Sequence, residues 1–115
     1  MFSIVITYYN GINFLNDLQE NLNNIAKNYY EYIKEKTEVI IVNDNPLDSS
    51  LSNLKLDSNI DLIIINNKEN VGIHQSRVNG INVAHGKYII ILDQDDKLVD
   101  SILIDYSKII SSNST

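Results

Sequence analysis

Four Ile/Val-rich runs punctuate the chain: Phe2 to Tyr8, Val39 to Val42, Ile60 to Ile65 and Tyr88 to Leu92. Each is continuous rather than alternating, the pattern of a strand buried on both faces. Between them apolar residues recur at helical spacing. After Asn13, a candidate cap, Leu15, Leu18, Leu22, Ile25 and Tyr29 form one stripe of a long helix. Asp48 to Leu56, with Pro46 near its start, reads as a short helix. Gly72 to Ala84 reads as another, and Leu98, Ile102, Leu103, Tyr106, Ile109 and Ile110 mark a last one. Residues 111–115 are a polar tail expected to fray. Strands alternating with helices predict an α/β, Rossmann-like domain over residues 1–110, its parallel sheet covered on both faces.

The strand ends carry the chemistry. In open parallel sheets ligands bind beyond the carboxyl ends of the strands, near a switch in strand order. Here those ends read Thr7-Tyr8-Tyr9-Asn10-Gly11, Asn43-Asp44-Asn45, Asn66-Asn67-Lys68-Glu69-Asn70 and Asp93-Gln94-Asp95-Asp96. Burying charge is costly, so the last three carboxylates must lie where the strand leaves the core. Asp93 and Asp95 are two apart, and in an extended segment they point the same way. Such a pair can chelate a hard cation, Mg²⁺ or Mn²⁺, through oxygen. The alternative is a solvated turn with an aspartate capping the next helix. An aromatic, acids and amides on one edge suggest a nucleotide-type ligand plus a metal.

Arg77 is the second signal. With Ile73, Gly80, Ile81 and Ala84 it falls within an arc of about 100°, the stripe expected to face the sheet. A buried guanidinium needs an anion. That anion is either a ligand phosphate or a structural partner, Asp44 or Asp93. His74 reads as a partly exposed helix residue, and His85 as a residue near a helix end, where a cation suits the dipole. Of seven tyrosines, only Tyr8 and Tyr9 fall on the predicted binding edge.

Composition narrows the classes. One domain of 115 residues is long enough for a real core but short for a two-substrate enzyme. A net charge of −6 argues against nonspecific nucleic-acid binding. An acidic chain that holds an anion needs a local device, a metal or a placed arginine. No apolar stretch approaches the roughly 20 residues of a membrane span. The absence of cysteine and of a basic leader fits a cytoplasmic protein.

In this order, the motifs resemble the nucleotide-sugar-binding half of family 2 glycosyltransferases of the GT-A fold. Ser3-Ile4-Val5-Ile6-Thr7-Tyr8-Tyr9-Asn10 is similar to the family's opening strand, and Glu38-Val39-Ile40-Ile41-Val42-Asn43-Asp44 to its second. Asn70-Val71-Gly72, Ser76-Arg77 and Gly80 match its Asn-x-Gly…Ala-Arg-Asn-x-Gly element. Ala84-His85-Gly86-Lys87-Tyr88-Ile89 and Leu92-Asp93-Gln94-Asp95-Asp96 match its Ala-x-Gly-x-Tyr-Ile…Leu-Asp-x-Asp-Asp element. The resemblance implies that Thr7 and Tyr9 line the base pocket, with Asn10 supporting the turn. It implies that Asp44 binds base or ribose, and that Arg77 contacts the nucleotide or holds Asp44. Asp93 would lie near ribose and metal, and Asp95 would be the principal Mn²⁺ or Mg²⁺ ligand. The implied donor is a nucleotide-diphosphate sugar, most naturally a UDP-sugar, used in work such as cell-surface polysaccharide synthesis.

Several positions depart from the pattern. Thr7 replaces a proline, Asn43 an aspartate, Asn45-Pro46 a Gly-Ser pair, and Val78 an asparagine. About twenty residues follow the Asp-x-Asp motif, where the family places its acceptor-binding half and general base. The expectation is therefore a domain truncated after that motif: a donor-binding half of a transferase, or a noncatalytic nucleotide-sugar-binding or assembly module. The apolar last helix is a candidate contact for a missing half or a second copy. A phosphoryl-transfer domain also uses strand-end carboxylates, but it needs a lysine and a Ser/Thr at later strand ends, which this order of strands does not supply.

Overall fold

The computed structural model describes residues 1–112, so residues 113–115 of the expected polar tail lie outside the described residues. Strand β1 spans Phe2–Tyr8, β2 Thr37–Asn43, β3 Ile60–Asn66 and β4 Tyr88–Asp93. All pair in parallel, in the order β3-β2-β1-β4. Helix α1 (Leu15–Ile33) links β1 to β2, α2 (Ile73–Val83) links β3 to β4, and α3 (Ile102–Ser112) follows β4. The α2 crossover passes over β2 and β1 to reach the far edge, so strand order reverses at β1. The crevice between β1 and β4 is thus the switch point where α/β folds bind ligands.

Side-chain alternation divides the core in two. Phe2, Ile4, Ile6 and Tyr8, with Val39, Ile41 and Leu92, face α1 and α3. The thin second layer holds Val5, Ile40 and Val42, with Ile63, Ile65 and Ala84 beside them on the α2 side. Its helix departs from the expected register. Ser76 and Gly80 are the buried residues of α2, while Ile73 and Ile81 are exposed. Small residues let the backbone approach the sheet: a Cβ on Gly80 would lie 2.5 Å from Val5 Cγ1 and 3.1 Å from Val42 Cγ2. Gly80→Ala is expected to destabilise the fold by about 1–3 kcal/mol through overpacking, read as a lower urea midpoint.

The sheet is covered on both faces only over its centre. On β4, Ile89 and Ile91 are each 39% exposed. The outer edge of β4 pairs with no strand among the described residues. The expected helix at Asp48–Leu56 is a single 3-10 turn, Ser50–Asn53. Local side chains use the backbone donors there: Asp48 Oδ1 accepts from Ser50 N–H at 2.8 Å, and Asn45 Oδ1 from Leu47 N–H at 3.0 Å. Asn13 is no cap; it sits inside a 3-10 turn, Ile12–Phe14, that leads into α1. The last helix starts at Ile102 rather than Leu98, whose peptide groups bond to the buried Asn21 side chain at 3.0 and 2.8 Å.

At the amino ends of the strands, Glu38 is a buried carboxylate. Its Oε1 accepts from Ser3 Oγ at 2.6 Å and His85 N–H at 2.8 Å, and its Oε2 lies 2.7 Å from His85 Nδ1. His85 thus lies beyond the end of α2 and pairs with this carboxylate rather than with the helix terminus. Burial alone would raise the Glu38 pKa, but Ser3 and His85 more than offset it and hold it below its ordinary value. Among the described residues no helix is long and apolar enough to cross a membrane.

Candidate functional site

A cavity of about 380 Å³ opens at the carboxyl ends of the strands. It is lined by Thr7, Tyr8 and Tyr9 at the end of β1, Asp44 after β2, Asn70 and Gly72 from the loop before α2, and Ile73 and Ser76 from the first turn of α2. Asp93, Gln94 and Asp95 close it at the end of β4. The volume sits in the lower part of the range of about 300–1,000 Å³ usual for small-ligand sites. Of the residues singled out from sequence, Thr7, Tyr9, Asp44, Asp93 and Asp95 meet on this one wall. Asn10 and Arg77 do not line the cavity; they bond to Asn45 and to Asp93.

Asp44 is 4% exposed and held from one side. Its Oδ1 accepts from Asn67 Nδ2 at 2.9 Å and Val71 N–H at 2.8 Å, and its Oδ2 from Gly72 N–H at 2.9 Å. Asp44 lines the cavity with most of its roughly four acceptor positions already taken by these donors. Burial alone would raise its pKa. The donors from Val71, Asn67, Gly72 and Ser76 outweigh burial and keep it below 3.8, so Asp44 is an ionised acceptor rather than an acid. Gly72, at φ 89°, gives the loop its left-handed turn into α2. Asn67, Asn70 and Ser76 stand in the strand end and motif quoted from sequence but had no role there, because amides and serines at loop ends carry no periodic signal.

Arg77 reaches Asp93, not Asp44: the guanidinium lies 2.7 Å from Asp93 Oδ1. Both side chains are over a third exposed, so the pair is worth about 0–1 kcal/mol and matters for placement more than stability. Its Nε is buried without a hydrogen-bond partner among the described residues. Asn10 adopts a left-handed φ of 49° and is braced by Asn45, whose Nδ2 donates to Asn10 Oδ1 at 2.6 Å.

Strand β4 ends at Asp93 and turns at once, with Asp96 N–H donating to Asp93 O at 3.0 Å. Asp93 and Asp95 therefore meet around a turn instead of along an extended strand. Both line the cavity; Asp95 is exposed, and Asp93 keeps Oδ2 clear of Arg77. Among the described residues no group of three or more His, Cys, Asp or Glu is placed to hold a metal alone. Two carboxylates and no nitrogen or sulfur ligand fit a hard cation that takes its remaining oxygens from phosphate and water. Gln94, between them, bonds back to Tyr9 and joins the two ends of the wall.

The model of the family "Glycosyl transferase family 2" matches residues 3–103. An uncharacterized glycosyltransferase of Haemophilus influenzae is 32% identical over 82% of this chain and 28% of its own length. A cholesterol galactosyltransferase of Borreliella burgdorferi is 28% identical over 88% of this chain and 26% of its own. Crystal structures of S. aureus TarS 1-349, in complex with UDP-GlcNAc and with UDP, superpose with a TM-score of 0.83 at 23% identity. They cover 96% of this chain, which spans 31% and 32% of theirs. The chain thus spans about a third or less of its relatives, and its parallel sheet with flanking helices is the Rossmann-like GT-A fold of the TarS amino-terminal region. Matched from its first strand to its last helix, the chain belongs to glycosyltransferase family 2.

Proposed function

We propose that this chain binds the donor of a glycosyl transfer, a UDP-sugar, in the cavity between β1 and β4. The observation that carries the reading is the convergence of Thr7, Tyr9, Asp44, Asp93 and Asp95 on one cavity at the switch in strand order. Tyr9, 49% exposed, offers a ring on which a base can stack, with Thr7 beside it. Asp44, on the cavity wall, would accept from a base N–H or a ribose hydroxyl in exchange for, or beside, one of its present donors. Asn10 keeps the turn, and Arg77 holds Asp93.

Asp93 and Asp95 would hold Mg²⁺ or Mn²⁺. When bound, that cation supplies charge neutralisation of the departing diphosphate. Within the chain, Asp95 and Oδ2 of Asp93 provide the oxygen ligands, and Arg77 fixes the rotamer of Asp93. This device lets a chain of net charge −6 hold a diphosphate. The structures of TarS with UDP and UDP-GlcNAc support the donor class.

A noncatalytic binding module is the second reading. It is favoured by one observation: the carboxylates on the cavity wall are Asp44, already engaged by three donors, and the Asp93–Asp95 pair. None is left as a base for an acceptor hydroxyl. Transfer would then require further polypeptide, for which the open edge of β4 and the exposed Tyr106 and Ile109 of α3 offer a surface. Calorimetric titration of UDP with and without Mn²⁺, with GDP as comparison, tests the donor site. Manganese-dependent binding of UDP in preference to GDP is expected, and no binding of either would sink the reading.

A further inference from the structure

We infer that Gln94 is a positioning residue that locks the base-facing loop to the carboxylate turn. The inference rests on the nucleotide reading of the site and deepens it. Gln94 Oε1 accepts from Tyr9 N–H at 2.8 Å, and Gln94 Nε2 donates to Tyr9 O at 3.0 Å. One side-chain amide thus satisfies both backbone polar groups of one residue, across 85 residues of sequence. Strand β1 ends at Tyr8, so beyond that point the sheet no longer fixes the chain.

The loop needs such a clasp. Asn10 stands at a left-handed φ of 49°, which a non-glycine residue adopts at a cost. The next residue, Gly11, has no room for a side chain: a Cβ would lie 2.6 Å from Gln94 Oε1 and 2.6 Å from Tyr8 Cε1. The glutamine is therefore packed into the loop as well as bonded to it. Flanked by Asp93 and Asp95, it carries the position of the turn directly into the position of Tyr9. No other amide length serves: an asparagine falls one methylene short, and a glutamate keeps the acceptor but sets a charged oxygen against Tyr9 O.

Gln94→Ala in the full chain gives the test, read with three probes. Uridine, which has no phosphate, reports the base end. Inorganic diphosphate with Mn²⁺ reports the carboxylate end, and UDP with Mn²⁺ reports both. Loss of two positioning hydrogen bonds is expected to weaken uridine and UDP by about tenfold each. Diphosphate affinity and Tm stay at wild-type values. Amide exchange at Tyr9, followed by NMR in the ligand-free chain, becomes fast in the variant. Unchanged uridine affinity where the wild type binds it, or a parallel loss of diphosphate binding and Tm, overturns the positioning role. A wild-type chain that binds neither uridine nor UDP overturns the nucleotide reading instead. In that case slow Tyr9 exchange that survives Gln94→Ala also overturns the clasp itself.

Discussion

Asp95→Ala is expected to lower the affinity for UDP at saturating Mn²⁺ by about a hundredfold or more, and to leave Tm within about 1 °C of wild type. The two halves of that expectation come from different features. Asp95 is exposed on a turn after β4, so its removal takes nothing from the core. Its neighbour Asp93 already shares one oxygen with Arg77, so Asp95 is the freer carboxylate on the wall. Without it a hard cation keeps at most one carboxylate here, and the diphosphate meets a wall of unneutralised acid. Uridine, lacking phosphate, should bind the variant and wild type equally. Calorimetry with both ligands reads the difference; equal UDP affinity in the two proteins would remove the metal role of Asp95. Asp93→Ala is the less clean variant, since it also leaves Arg77 unpaired.

β1 and β2 were legible because burial on both faces writes itself into sequence as Ile/Val runs, and Phe2–Tyr8 matches its run end to end, whereas the equally apolar runs of β3 and β4 leave Leu62, Ile64, Ile89 and Ile91 more than a third exposed. Helix α1 was legible for the same reason, since Leu15, Leu18, Leu22, Ile25 and Tyr29 are all buried. Helix α2 shows where the signal fails. Its apolar residues Ile73 and Ile81 point away, and it docks through Ser76 and Gly80. When a helix approaches on small residues, the hydrophobic pattern no longer tells which face is buried. The stripe that placed Arg77 against the sheet was accordingly turned, though the arginine still found one of its two expected carboxylates, Asp93.

Site residues at strand ends could be located because parallel topology sends them all to one edge. Their partners could not. Gln94 meets Tyr9 from 85 positions away, and Asn67 meets Asp44 from 23. Amide-to-backbone pairing of this kind follows from three-dimensional proximity and leaves no local spacing to detect. Glu38 was equally hidden: a charge inside an apolar strand is explained only by Ser3 and His85 arriving from elsewhere.

The same asymmetry governs Asp44, whose loss should be the most damaging to the fold. Asp44→Ala strips the acceptor from Val71 N–H, Gly72 N–H and the Asn67 amide, all at a buried position. Donors left unsatisfied in this way cost about 1–3 kcal/mol each when burial persists, and the loop can recover part by opening to water. A net destabilisation of about 2–4 kcal/mol follows, read by urea unfolding near neutral pH. Asp44→Asn should lose less, because its oxygen can still serve one side while its NH₂ opposes a donor on the other. The pH dependence has a definite sign. Asp44 is depressed in the folded state, so its contribution is fully present above its ordinary 3.8 and drains away as pH falls through the lower folded value. The gap between wild type and Asp44→Ala should therefore be widest near neutrality and narrow in acid below that point. Glu38, depressed from 4.5, adds an acid loss of its own that remains in both proteins. A gap that stayed constant down to about pH 3 would show that the carboxylate does not hold the loop by its charge. Opening that loop also unseats Asn70 and Gly72 from the cavity wall, so UDP affinity should fall together with stability. Asp44 thus ties the fold to the site, whereas Asp95 touches the site alone.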